Sequence, residues 1–165
     1  MREKLTKNDI EKIEAEIHDR KVNKRPILIK EVKDAAAQGD RSENFEYYAA
    51  KKAKNQNESR IRYLQNMLNT AIIVDDSSKK DEVGINNIVT IKFLEDNSEE
   101  KFKLTTGIRS NSMEGRLDLE SPLGKAIIHK KVGDIVTVSA PNFSYKVEII
   151  SIDKSSDDND AIRAF

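Results

Sequence analysis

The chain of 165 residues is neutral overall, with 29 Lys and Arg against 29 Asp and Glu, so no global attraction to nucleic acid or to an anionic membrane follows from the total. Cysteine is absent, which excludes disulfides, thiol catalysis and thiolate metal sites. Charged residues at 35% against 37% hydrophobic, with no Trp, point to long charged helices rather than a compact enzyme, and no stretch has the apolar length of a secretory signal or a membrane span.

In chain order, the first helix is expected to start at Thr6, which caps the opening turn while Asp9 returns the bond as its capping-box partner. Ile10, Ile13 and Ile17 then share one face. The apolar spacing resumes at Ile27, Leu28 and Ile29 and runs through Val32 and Ala35 to Ala37, so Pro26 predicts a kink or short break near Arg25 rather than a full stop. Gln38, Gly39 and Asp40 mark a reversal, and a second helical pattern covers about residues 43–71. The two halves predict an antiparallel helical hairpin with arms of ~30 residues, extending ~45 Å at about 1.5 Å per residue. The second arm has a seam at Tyr48, Ile61, Leu64, Leu68 and Ala71, which the polar run Asn55, Gln56, Asn57 and Glu58 interrupts, so looser packing is expected mid-arm.

Beyond Ala71 the texture changes. Ile72, Ile73 and Val74 lead into DDSSKKDE, a polar linker, and five segments then alternate apolar and polar residues with β-branched enrichment: INNIVTIKFL, EKFKLTT, GRLDLE, GDIVTVSA and YKVEIISI. A short helix is expected to interrupt these strands, capped by Ser121 with Pro122 at its first position. The fold class is therefore α+β, with an N-terminal helical hairpin over residues 1–75, a linker at 76–82, a β-sheet domain with one short helix at 83–155, and a mobile acidic tail at 156–165.

The turn of the hairpin, Gly39-Asp40-Arg41-Ser42-Glu43-Asn44-Phe45-Glu46, gathers three carboxylates at one exposed end. Two readings stay open on spacing alone. Asp40 caps the second helix with Glu43 as its capping-box partner, or the like charges await a cation. Two carboxylates are too few ligands to hold magnesium unaided, so the second reading needs a site that another macromolecule half supplies.

The segment GDRSENFEYYAAK resembles the tip signature of the GreA/GreB family of bacterial transcript cleavage factors, G-D-x-x-E-N-x-E-Y-x-A-A-K or R, with the GreA branch the nearer. Leu5-Thr6, Arg25-Pro26, Arg60-Ile61 and SPLGKAIIHKKVGDIVTV extend the resemblance over nearly the whole chain. It implies a coiled-coil N-terminal domain and an FKBP-like C-terminal domain that docks on RNA polymerase, with the coiled coil entering the secondary channel. It also implies that Asp40 and Glu43 help hold the polymerase's second, weakly bound magnesium ion and orient a water for cleavage of backtracked RNA. Ser42 and Asn44 are then candidates to orient these carboxylates.

The partners so implied are RNA polymerase and the 3′ end of the nascent RNA, with no cofactor of the chain's own and magnesium supplied by the polymerase. The chain is expected to be a cytoplasmic monomer, not bound to membrane, and not itself an enzyme. The alternative is a regulator that occupies the same channel without promoting cleavage.

Along the second helix Lys51, Lys52, Lys54, Arg60 and Arg62 outnumber Glu58, a basic stripe suited to RNA phosphates or, more commonly, a solvated helix face. Lys51, Lys52 and Lys54 are its candidate RNA contacts. The sequence departs from the family at Ala36, where an arginine is usual, and at Ala140-Pro141-Asn142-Phe143, where the family has a Thr-Pro-Gly-Gly type turn.

Overall fold

A computed structural model describes residues 2–39 and 44–164, and its first helix opens on the expected capping box. The Asp9 N–H donates to the Thr6 hydroxyl at 3.2 Å, and the Thr6 N–H donates to the Asp9 carboxylate at 2.9 Å. Two units emerge, one of Ile10–Ala71 and the other of Glu3–Asp9 with Ile72–Ala164.

In the first unit, α1 (Lys7–Asp19) leads into a π-helical turn at Arg20–Lys24 and then α2 (Arg25–Ala36), which is followed after the reversal by α3 (Phe45–Thr70). Pro26 lacks an N–H, and in a regular helix its ring meets the carbonyl four residues back. The chain widens instead: the Arg25 N–H bonds to the Arg20 carbonyl, five residues back, and the helix passes the proline. The expected break is thus a π-turn.

Ile13, Ile17, Ile61, Leu64 and Met67 supply the apolar seam, as the 3.6-residue period requires. Its middle is not loose but polar. Arg60 sits 4% exposed and donates to both oxygens of Glu16, while Arg20 donates to Glu16 at 2.7 Å and to the Asn57 amide oxygen at 2.9 Å. The Asn57 amide returns a bond to the Arg20 carbonyl, and Arg25 grips Glu58 with two bonds. The bonded positions advance on the first arm while they retreat on the second, from Glu16 with Arg60 to Ala35 with Asn44, which makes the hairpin antiparallel.

Burial alone would raise the Glu16 pKa, but bonds from Arg60 and Arg20 outweigh it and hold the carboxyl below its usual range. A depressed folded value means stability is present above the unfolded pKa and lost as pH falls through the folded one. The hairpin should therefore weaken as pH falls below the usual glutamate range, and Glu16→Gln should flatten that dependence in circular-dichroism melts.

The second unit begins with a strand pair the sequence did not announce. β1 (Lys4–Leu5) runs parallel to β2 (Ile72–Ile73), with Ile72 N–H on the Glu3 carbonyl and Val74 N–H on the Leu5 carbonyl, both at 2.9 Å. Ile72–Val74, expected at the end of the N-terminal domain, are thereby joined to β1 in the second unit.

The five expected strands form one mixed sheet: β3 (Ile88–Phe93), β4 (Ser98–Thr105), β5 (Arg116–Asp118), β6 (Ile135–Ser139) and β7 (Ser144–Asp153), in the order β5-β4-β3-β7-β6. Only the β4–β5 pair is parallel, and β7 shifts register opposite Thr90 and Ile91. α4 (Pro122–Ile127) starts on Ser121, whose hydroxyl accepts from the Gly124 N–H, and buries Leu123 and Ile127 in a core with Val89, Ile91, Leu104, Val138, Val147 and Ile149. Gly124 is required there, because a Cβ would lie 2.2 Å from the Asp118 carbonyl oxygen. The result is the α+β class, with a helical hairpin followed by a mixed β-sheet that carries one short helix.

Arg109 is fully buried in this unit. Its Nε donates to Asp9 at 2.5 Å, and its Nη1 donates to the Asn86 amide oxygen at 2.7 Å and to Asp160 at 3.2 Å. Asp9, also fully buried, accepts from the Thr106 hydroxyl at 2.7 Å. Residues 156–164, expected as a mobile tail, are drawn into this network. Asp160 pairs with Lys103 at 2.8 Å, the Arg163 N–H bonds to the Ile108 carbonyl, and Asn8 donates to the Asp158 carbonyl. The acidic composition serves ion pairing here, not solvation.

The departed turn folds over an aromatic row. Ala140 donates to the Phe143 carbonyl, and Phe143 lies 5.9 Å from Tyr145, which lies 6.0 Å from Phe93.

Candidate functional site

The apex is built by backbone constraints on either side of it. α2 ends at Ala36 and Gly39 takes φ +141°, a value that L side chains rarely adopt. On the far side, Asn44 is the N-cap of α3, in extended backbone. Its amide oxygen accepts from the Tyr47 N–H at 3.0 Å, satisfying a donor of the first turn, and its amide nitrogen donates to the Ala35 carbonyl at 2.6 Å. One side chain thus caps both helices. Asn44→Ala removes both bonds, and the expected loss of about 1–2 kcal/mol should lower the melting temperature of the hairpin by several degrees.

This overturns the capping reading of Asp40, since α3 starts at Phe45 and its cap residue is Asn44. Asp40, Ser42 and Glu43 themselves lie outside the described residues. Asn44, expected to orient their carboxylates, is engaged with backbone on both flanks of the 40–43 segment.

Of the basic stripe, Lys51 and Lys52 are exposed and form no ion pair among the described residues. Lys54 is half-buried beside Glu58, whose carboxyl lies below its usual range through its bond to Arg25, the fields of Arg25, Lys54 and Arg62 adding to it. Arg60 belongs to the hairpin interior, and Arg62 is exposed, donating to the Ser59 hydroxyl. Spacing along one helix does not separate these cations, because the carboxylate that pairs with Arg60 is Glu16, on the other arm.

Between α2 and α3 near the apex lies an open groove of about 440 Å³, lined by Glu31, Asp34, Ala35, Gln38, Glu46, Ala49, Ala50 and Ala53. Its carboxylates repel a polyanion. Phe45, by contrast, is 86% exposed, and Tyr48 is 50% exposed in edge contact with Tyr47 at 5.5 Å. Packing, the commoner role of a helical aromatic, does not account for Phe45.

Residues 3–73 match the family model described as transcription elongation factor, N-terminal, and residues 78–154 match that of the transcription elongation factor GreA/GreB C-terminal domain. The chain belongs to the GreA/GreB family. It is similar to the transcription elongation factor GreA of Lachnoclostridium phytofermentans, 36% identical over 92% of this chain and 96% of the relative. GreA 1 of Lactiplantibacillus plantarum is 39% identical over 92% of this chain and 96% of its own, and Thermotoga maritima GreA is 36% identical over 90% and 96%. The GreA/GreB match thus spans both units and the apex between α2 and α3. Among the described residues no helix is long and apolar enough to cross a membrane.

Proposed function

We propose that the chain is a cytoplasmic, monomeric transcription elongation factor that enters the secondary channel of RNA polymerase and stimulates the polymerase's own cleavage of backtracked RNA. The observation that carries this reading is the cap of α3. With Asn44 in that place, the start of the helix does not explain why an acidic pair precedes it, and the pair coincides with the acidic positions of the family signature.

Asp40 and Glu43 are hard oxygen donors of the kind magnesium takes, and two of them supplement a site rather than build one. A magnesium ion held in the polymerase with their help would supply Lewis-acid stabilisation of the charge that develops as the phosphodiester is cleaved. Asp40 and Glu43 would add ligands to such an ion and accept a bond from the attacking water. Asn44 fixes the chain just beyond Glu43. Lys51 and Lys52 meet phosphates of the extruded strand.

By itself the chain cleaves nothing, because the first ion and the RNA register belong to the polymerase. The test adds the protein to stalled, backtracked polymerase complexes across a range of magnesium concentrations. Shortening of the transcript from its 3′ end supports the proposal. Tight binding with no shortening at any magnesium concentration identifies the non-cleaving channel regulator instead.

A further inference from the structure

Leaving the apex, α3 carries Phe45, Tyr48, Lys52, Asn55, Ser59 and Arg62 at alternating steps of three and four residues, all of them exposed. That spacing lines one face of a helix and ordinarily marks a buried seam. The seam of α3 lies elsewhere, at Asn57, Arg60, Ile61, Leu64 and Met67. Two aromatic rings, 86% and 50% exposed, therefore stand at the head of a solvent-facing stripe.

The stripe holds no carboxylate. Lys52 and Arg62 lie on it and Lys51 flanks it, with neither lysine ion-paired among the described residues. Glu46, Ala49, Ala50 and Ala53, on another face of the same helix, line the acidic groove with Glu31 and Asp34. The two faces thus differ in sign, and only one suits a polyanion.

Rings followed by cations along one face form the combination by which single-stranded nucleic acid is held: unpaired bases stack on the rings, and phosphates follow the charges. We infer that Phe45 and Tyr48 are a stacking platform for the unpaired bases at the 3′ end of the extruded RNA, with Lys52 and Arg62 tracking its phosphates over ~26 Å of helix. The inference rests on the proposed function, which brings RNA to the apex. It does not come from the family motif, because Phe45 and Tyr48 occupy positions that the signature leaves open. Both are positioning residues, and the chemistry remains with the acidic pair.

The test uses backtracked complexes whose RNA carries a 3′-terminal 4-thiouridine, read by photo-crosslinking to the protein and by the cleavage rate at subsaturating protein. Phe45→Leu keeps an apolar side chain at an exposed site and removes only the ring, so folding is preserved, while Phe45→Trp restores a stacking surface. Phe45→Leu is expected to lower the crosslink yield and the cleavage rate by about five- to a hundredfold, with Phe45→Trp recovering both. Asp40→Ala should lose cleavage and keep the crosslink.

If the parent protein stimulates cleavage and Phe45→Leu matches it in both readouts, the platform is overturned while the proposed function stands. If Phe45→Leu loses binding to polymerase that contains no RNA, the face docks on protein and the platform is likewise overturned. Failure of the parent protein to stimulate cleavage overturns the proposed function itself.

Discussion

Replacing Asp40 or Glu43 by alanine is expected to slow factor-stimulated transcript cleavage by about a hundredfold or more while binding to polymerase is unchanged. The scale is that of removing one fixed group that stabilises developing charge in a water-excluded site. Either substitution leaves a single carboxylate, which adds too little to a weakly held magnesium ion. Single-turnover cleavage, with binding measured in parallel by competition, separates the two effects. Asp40→Asn should resemble Asp40→Ala, because the amide keeps the shape and loses the charge. If binding falls with the rate, the pair acts in docking rather than in chemistry.

The second large effect is expected at Arg109. Its guanidinium and the Asp9 carboxylate are both fully buried, so removing one partner leaves an uncompensated charge in a dry site. Arg109→Met should therefore destabilise the second unit by about 3–5 kcal/mol. Asp9→Asn keeps an acceptor for the Thr6 N–H and the Thr106 hydroxyl, so Asp9→Asn combined with Arg109→Met should be milder than Arg109→Met alone. Chemical denaturation of the four proteins of this cycle measures the coupling. Additive losses would show that the pair contributes through separate contacts, not as a pair.

Local rules made much of this fold legible. The Thr6–Asp9 box and the Ser121–Pro122 start each involve groups within a few residues of one another, and side-chain spacing encodes them directly. Five alternating segments became five strands for the same reason. What spacing missed depends on partners distant in sequence. Arg109 reads as an ordinary surface cation until Asp9, Asn86 and Asp160 close around it, and Asp160 reads as part of a solvating tail until Lys103 and Arg109 claim it. Asn57 reads as part of the polar gap at Asn55, Gln56, Asn57 and Glu58, and Arg60 as part of a basic stripe, yet Arg20 and Glu16 on the facing arm join the two into a polar clasp.

At the apex spacing left open whether Asp40 caps the second helix, and the cap is Asn44. Asp40 and Asn44 are both good cap residues, and helical periodicity does not say where the first turn starts. An aromatic at helical spacing, such as Phe45, reads as packing until its exposure is seen.

Magnesium dependence of the cleavage rate reports whether the acidic pair helps to hold the ion. Backtracked complexes would be titrated with magnesium alone, with the parent protein, and with Asp40→Asn at saturating concentration. The parent protein is expected to lower the half-saturating magnesium concentration, and Asp40→Asn, bound equally well, to leave it where it stands without any factor. An equal shift from both proteins would contradict the account, since the carboxylate would then have no part in holding the ion.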